Sequence, residues 1–338
     1  MTPDLPRHQG RDRRPDPAAL VYRPPRPAEL VDCADIWHAG VSDYLARLAT
    51  QAPPLVPGPF LELLGHLQGT DPDRFLVAVE PAEDRVLGWG AATRRDHVWF
   101  LAMLFVHPDV QAAGIGRTLL ARLLPGGAPG DVEPGAADRP GRGGPPGILA
   151  TCTDSAQPIS NGLYAGHGIV PRLPLLELVG HPGPDALPEL PAGIRPIPAG
   201  GPGPAEPVLR AMIDAIDRRV LGYAHPQDHA FLRRSGRSGQ LFLGPDGAAL
   251  GYGYASPVGR LGPIAVLDET LTAPILGHLL RSVQPRGAFA CWVPGVNDRA
   301  VVALLRAGLR FEGFPSLLCA TRPFGAFERY VPIGLALL

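Results

Sequence analysis

Lysine is absent: all 31 basic side chains are arginine, and they face 32 acidic ones for a formal net charge of -1. So neutral a balance excludes the strongly basic surface that nucleic-acid binding requires. The basic start, Arg7, Arg11, Arg13 and Arg14, is short, broken by Asp12 and Asp16, and reads as a solvated tail. Exclusive use of arginine points to a GC-rich genome more than to a function. Cysteine is scarce as well, and Cys33, Cys152, Cys291 and Cys319 lie far apart with no C-x-x-C pair. That spacing excludes a zinc ribbon and a disulfide framework, and it predicts reduced core thiols. No run of apolar residues is long enough to cross a membrane, and the first twenty residues have no apolar core of a secretion signal. The expected location is the cytoplasm, with neither a membrane nor a nucleic acid as partner.

What is present is ample core: 45% of 338 residues are hydrophobic and 19% charged, enough chain for two domains. Residues 1–20, rich in Pro, Arg and Asp, are expected to be a disordered tail. A short strand at 21–23 follows, then helices at 30–48, with Asp32 as N-cap, and at 60–67 after a proline-rich break. Strands are expected at 75–80, 86–93 and 98–106, the first two joined by a polar turn. Residues 125–147 turn abruptly to glycine and proline and read as a flexible insertion. A strand at 148–153, a helix at 159–165 and a strand at 174–179 complete a unit spanning 21–180.

Residues 181–192 form a linker, and 193–338 then repeat the first half: VLGWGAAT at 86–93 returns as ALGYGYAS at 249–256, and VYRPP at 21–25 as GIRPI at 193–197. Tandem duplication is the simplest explanation.

The stretch 98–124 carries the chemistry. An apolar strand, VWFLAMLFV, runs into HPDVQAAGIG and then the amphipathic helix RTLLARLL. Gln111, Ala112, Ala113, Gly114, Ile115 and Gly116 are small or flexible enough to let main chain approach a ligand. The first amides of the helix lack intrahelical acceptors, so a phosphate fits there without a lysine. In the aligned second half, Leu271, Pro274 and Leu276 replace Gln111, Gly114 and Gly116, and a proline removes an N–H where donors are needed. One half is expected to keep the anion site and the other to have lost it.

Gln111, Gly114 and Gly116 fill the Q/R-x-x-G-x-G/A pattern, and the chain resembles the GNAT-type N-acetyltransferases, which hold the pyrophosphate of acetyl-coenzyme A with it. The resemblance implies a mixed α/β (α+β) fold with two tandem GNAT-like acyl-CoA N-acyltransferase domains, an active one at 21–180 and a degenerate one at 193–338. It implies acetyl-CoA as cosubstrate, no metal, and cofactor contacts from the backbone of Leu104, Phe105 and Val106, from the 111–116 loop with Arg117, and from Asn161. The segment SNGLYAGHGIVPR is similar to the family's N-x-x-x-x-x-L-Y-x-x-x-G-F, with Ile169 in place of the final aromatic and the asparagine displaced to Asn161. That likeness makes Tyr164 the expected acid for the thiolate, a role that a phenol of pKa about 10 can fill; Leu304 stands at the aligned position of the second half.

The resemblance does not supply a base. The strand 98–106 contains no acid, and Asp96, His97, His107 and Asp154 are the nearby alternatives, with bulk water as another. Trp37, His38, Tyr44 and Phe60 would line an acceptor pocket if their helices face it. The expected reaction is direct transfer of acetyl to a primary amine of a small molecule in a ternary complex. A protein N-terminus, the amine of a thiol precursor, and a non-catalytic acyl-CoA-binding or scaffold protein are the alternatives, and a homodimer is left open.

Overall fold

A computed structural model describes residues 15–52, 54–126, 147–183, 185–200, 205–285 and 287–338. Most of the expected tail at 1–20 and of the insertion at 125–147 lies outside the described residues. In chain order the first half runs β1 (Val21–Arg23), α1 (Leu30–Arg47), α2 (Pro57–Thr70), β2 (Phe75–Glu80), β3 (Arg85–Arg95) and β4 (Val98–Val106). It continues with α3 (Ile115–Leu123), β5 (Ile148–Asp154), α4 (Pro158–Ala165) and β6 (Val170–Gly180). The second half has β7 (Arg195–Pro198), α5 (Glu206–Val220), α6 (Pro226–Arg234), β8 (Ser238–Leu243), β9 (Ala249–Ala255) and β10 (Leu261–Val266). It closes with α7 (Thr272–Ser282), β11 (Phe289–Pro294), α8 (Asp298–Arg306), β12 (Arg310–Phe311), β13 (Ser316–Ala320) and β14 (Tyr330–Val331). The α/β class and mixed sheet expected from the pattern are what the chain forms: β4 pairs in parallel with β5, and the other registered pairs are antiparallel.

The chain divides into two compact units, Met1–Ala92 with Met103–Val132, and Thr93–Ala102 with Glu133–Leu338. In the first unit β2 pairs with β1 on one side and with β3 on the other. Its core gathers Leu20, Ala78 and Leu87 around Ile115 and Leu119 of α3. Two glycines of β3 let this packing close. A Cβ at Gly90 would stand 2.7 Å from Leu123 Cδ1 and 3.0 Å from Leu104 Cδ1, and one at Gly88 3.0 Å from the Phe105 carbonyl oxygen. Helix α1 starts differently from expectation. Its N-cap is Glu29, and Asp32 sits in the first turn, because Glu29 is already fixed there: its carboxylate accepts from the Arg26 amide at 2.6 Å and from Arg23 at 2.6 and 2.8 Å.

In the second unit the strand that completes the neighbourhood of β5 and β6 comes from far down the chain. Antiparallel β13 lies between them, with Leu318 opposite Cys152 on β5 and Leu173 on β6. The β13–β6 register shifts between Leu318 and Cys319, where Cys319 meets Pro171; a proline offers no N–H to a ladder, and an irregularity there is the ordinary outcome. Beyond β6 lies β11, and β12 also pairs with β6. A separate antiparallel sheet has the order β14-β10-β9-β8-β7. Residues 148–180 therefore group with the later chain, and the compact units do not follow the 21–180 and 193–338 halves read from the sequence repeat.

The repeat itself has a physical counterpart. Gly253 of β9 does for α7 what Gly90 does for α3, a Cβ there meeting Leu279 Cδ1 at 2.6 Å, and Gly251 lies against the next strand as Gly88 does, its Cβ 2.7 Å from the Ala265 carbonyl oxygen. All four cysteines are free, and all but the half-buried Cys152 are buried. Among the described residues no helix is long and apolar enough to cross a membrane.

Candidate functional site

The Gly-rich turn is held from both sides. After β4, His107 caps a short turn by accepting from the Asp109 amide at Nδ1, 3.3 Å. Gln111 then folds back and donates from Nε2 to the Val106 carbonyl oxygen at 3.1 Å, which fastens the loop to the strand it leaves. Ala112 and Gly114 both have positive φ, 64° and 91°. Gly114 in this left-handed conformation is the N-cap of α3, a conformation that costs a glycine little and other residues more. The first helical acceptor, Gly114 O, takes the Thr118 amide at 3.1 Å. Helix geometry leaves the amides of Ile115, Gly116 and Arg117 without intrahelical acceptors, beside the positive end of the dipole.

The surface above those amides suits a ligand. Ala112, Gly114 and Arg117 are exposed, Gly116 is half-buried, and Ile115 is the residue turned into the core. A Cβ at Gly116 would meet only Val106 Cγ2, at 3.5 Å. Three main-chain amides and an open glycine surface thus stand together at the mouth of α3, with the exposed Arg117 beside them. The corresponding start of α7 is closed. Leu271, Pro274 and Leu276 are all buried in the second unit, so apolar side chains stand here in place of the exposed glycine cap of α3.

The strand before the loop carries the second feature. The parallel register between β4 and β5 covers Val98 to Leu101 against Ile148 to Thr151 and stops there. Leu104, Phe105 and Val106 stand outside that ladder, half-buried, at the end of β4. Of the aromatics expected to line an acceptor pocket, Trp37 stacks on Phe60 at 4.5 Å, and Trp37, His38, Tyr44 and Phe60 are all half-buried in the first unit. Gly40 of the same helix lies against Phe105, a Cβ there being 3.5 Å from the ring.

An open cavity of about 540 Å³ in this unit brings together Asp32, Asp35, Glu83, Asp84 and His107. These carboxylates come from two segments about fifty residues apart in the chain. Burial and the neighbouring Glu29 and Asp35 raise the pKa of Asp32.

Asn161 and Tyr164 belong to the second unit. The Asn161 amide nitrogen donates to the carbonyl oxygens of Asp154 and Gln157 at 3.0 and 2.8 Å. It therefore ties down the turn after β5, while its Oδ1 is buried with no partner. Tyr164 is buried on α4. Burial pushes its phenol well above the usual tyrosine range, only partly offset by a hydrogen bond to Ser160, so it stays protonated at neutral pH. The base alternatives have structural tasks. Asp96 Oδ2 accepts from the Ala224 amide at 3.1 Å, Asp154 Oδ1 from the Ala156 amide at 2.9 Å, and His107 caps its turn.

Residues 43–125, which contain this loop, match the model of the Acetyltransferase (GNAT) family. Among curated proteins none matches the sequence. Solved structures share the fold over almost the whole chain. A Pyrococcus horikoshii protein assigned as an acetyltransferase superposes with a TM-score of 0.68 at 15% identity, over 95% of this chain and 96% of its own. A GCN5-related N-acetyltransferase from Sphaerobacter thermophilus gives 0.54 at 17%, over 92% and 98%. A tandem GNAT protein from the clavulanic acid biosynthesis pathway gives 0.50 at 16%, over 90% and 99%. The loop that opens α3 thus lies in the stretch 43–125 that matches the Acetyltransferase (GNAT) family model, and the chain as a whole shares the fold of these acetyltransferase structures.

Proposed function

We propose that the chain moves the acetyl group of acetyl-CoA directly to a primary amine of a small molecule, with both bound at once. The observation that carries this reading is the left-handed Gly114 at the mouth of α3, which leaves three main-chain amides free for a pyrophosphate. Acetyl-CoA supplies the activated acyl group. Gln111 keeps the loop in place through its bond to Val106 O. Leu104, Phe105 and Val106, out of the β5 ladder, offer main-chain donors and acceptors to the cofactor arm.

In the reaction the amine nitrogen bonds to the acetyl carbon, the carbon–sulfur bond breaks, and the electron pair leaves on sulfur, which takes up a proton. Tyr164 is the proton donor in this reading, supported by a phenol that burial keeps protonated. The proton that the attacking nitrogen loses passes to water, and water returns one to the Tyr164 phenolate, since Asp96, Asp154 and His107 are each engaged by a backbone amide. The halves 21–180 and 193–338 are read as duplicates, of which the first works; the paired glycines under α3 and α7 support this.

The test is release of CoA thiol from acetyl-CoA across a panel of small primary amines, peptides with free N-termini and aminothiol precursors. Turnover with a small amine supports the proposal. Turnover confined to peptides or thiol precursors would move the acceptor class, and CoA binding with no turnover on any of them would refute direct transfer.

A further inference from the structure

The second unit buries a cluster that acetyl transfer does not use. Asp217 comes from the last turn of α5, and His225 and His229 from the start of α6, where Pro226 at the first helical position leaves His225 as N-cap. All three are buried, with His229 the most exposed at 2%. The i, i+4 spacing puts both imidazoles on one side of the helix, with ring centroids 4.4 Å apart. Both Nε2 atoms converge on one oxygen: Asp217 Oδ2 lies 3.4 Å from His225 Nε2 and 3.1 Å from His229 Nε2. One donor atom from each residue lies within 4.8 Å of the others. Neither ring nitrogen of His225 makes a hydrogen bond of good geometry, although carboxylate oxygens of Asp217 and Asp228 stand 3.4 and 3.6 Å from them.

The atoms facing away from that point are held by other side chains. His229 Nδ1 meets the Tyr254 hydroxyl at 3.0 Å, and Asp217 Oδ1 accepts from the Tyr252 hydroxyl at 2.6 Å. His225 Nδ1 faces Asp228 Oδ2 at 3.6 Å, and Asp228 is gripped by Arg95 through two bonds of 2.9 and 2.8 Å. Each of the three residues therefore turns one atom to a shared point while a second group fixes its orientation. Outer partners of this kind set the tautomer and direction of metal-ligating histidines.

We propose that Asp217, His225 and His229 form a site for one divalent transition-metal ion of the zinc class, bound through the two Nε2 atoms and Asp217 Oδ2. Ligands about 2.0–2.1 Å from a tetrahedral ion stand about 3.4 Å from one another, and closer around an octahedral one. The 3.1 and 3.4 Å separations from Asp217 Oδ2 match that span, and the two imidazole nitrogens, within 4.8 Å of each other, close to it as the ion binds. The ion would tie α5 to α6 and, through Tyr252 and Tyr254, to β9. Its role is structural, and it takes no part in the acetyl-transfer reading above. The competing arrangement is an ion pair between Asp217 and a protonated His225 with no metal.

The full chain, unfolded and refolded in zinc chloride and then dialysed, is assayed for metal by mass spectrometry and for thermal stability against a chelator-treated sample. The expected result is about one zinc per chain with a raised Tm. Asp217→Asn and His229→Gln are each expected to lower zinc to about a tenth of that or less. Because a variant could fail to fold, cobalt-refolded wild-type protein is read as well, with visible ligand-field absorption expected. Wild-type protein that holds no zinc after refolding, with the same Tm in metal and chelator and no cobalt spectrum, would overturn the proposal. So would full zinc content in both folded variants.

Discussion

Replacing Gly114 by alanine isolates the backbone conformation of the loop. At φ 91° the residue is left-handed, and an L side chain there costs about 1–2 kcal/mol. Nothing steric adds to that, because the new Cβ would meet only Pro17 Cγ at an ordinary 3.5 Å. If the loop relaxes to escape the strain, the amides of Ile115, Gly116 and Arg117 turn away from their common target. The loss then falls on binding, a weakening of roughly 5- to 30-fold in Kd. If the loop is held, the same 1–2 kcal/mol or so falls on folding instead. Calorimetric titration with CoA and urea unfolding of the same samples read both destinations. Gly114→Asn should lose less on either scale, since asparagine tolerates the left-handed region better. Alanine with wild-type affinity and wild-type stability would refute the role given to this cap.

Three further outcomes follow from other parts of the molecule. Arg95→Met removes the guanidinium that grips the buried Asp228 carboxylate and should cost about 3–5 kcal/mol in urea unfolding, whereas pairing it with Asp228→Leu should recover much of the loss; a single-variant cost below about 1 kcal/mol would contradict the burial of that pair. Glu29, held down to about 2 from 4.5 chiefly by the Arg23 guanidinium, has a lower pKa folded than unfolded. It stabilises fully above pH 4.5 and progressively less as pH falls towards 2. Glu29→Gln should therefore be less stable at neutral pH and lose less between those limits, and a parallel pair of stability–pH curves would count against it. A chain cut to residues 21–180 loses β13 from between β5 and β6, and circular dichroism with thermal unfolding should find no cooperative fold, where a sharp two-state transition would show that half to be self-sufficient.

Much of the fold was legible because it is local. The period-2 and apolar runs of β2, β3 and β4 identify themselves, and the turn residues between α3 and β4 have one ready conformation. Helix α2 begins three residues earlier than expected, at Pro57, because a proline that looks like a break is tolerated at the first helical position. The insertion of β13 between β5 and β6 could not be read, since its partners lie some 150 residues away and no local pattern encodes the choice.

The glycine loop before α3 was legible for the same reason as the strands: its glycines and its helix are contiguous. The rest of the site was not. Whether Asp96 or Asp154 is free to act depends on which amides each one meets, and Ala224 and Ala156 are not visible as partners in a sequence. The buried Asp217, His225 and His229 did leave a trace, the His-Pro-Gln-Asp-His segment with an aspartate eight residues upstream.

Amide hydrogen exchange of the whole protein with and without CoA tests most directly that the first half alone holds the cofactor. Protection should appear at residues 114–117, at the mouth of α3, and none at 272–277, where α7 begins with Pro274 in the core. Equal protection at both helices, or protection at the second alone, would contradict the assignment of the working half.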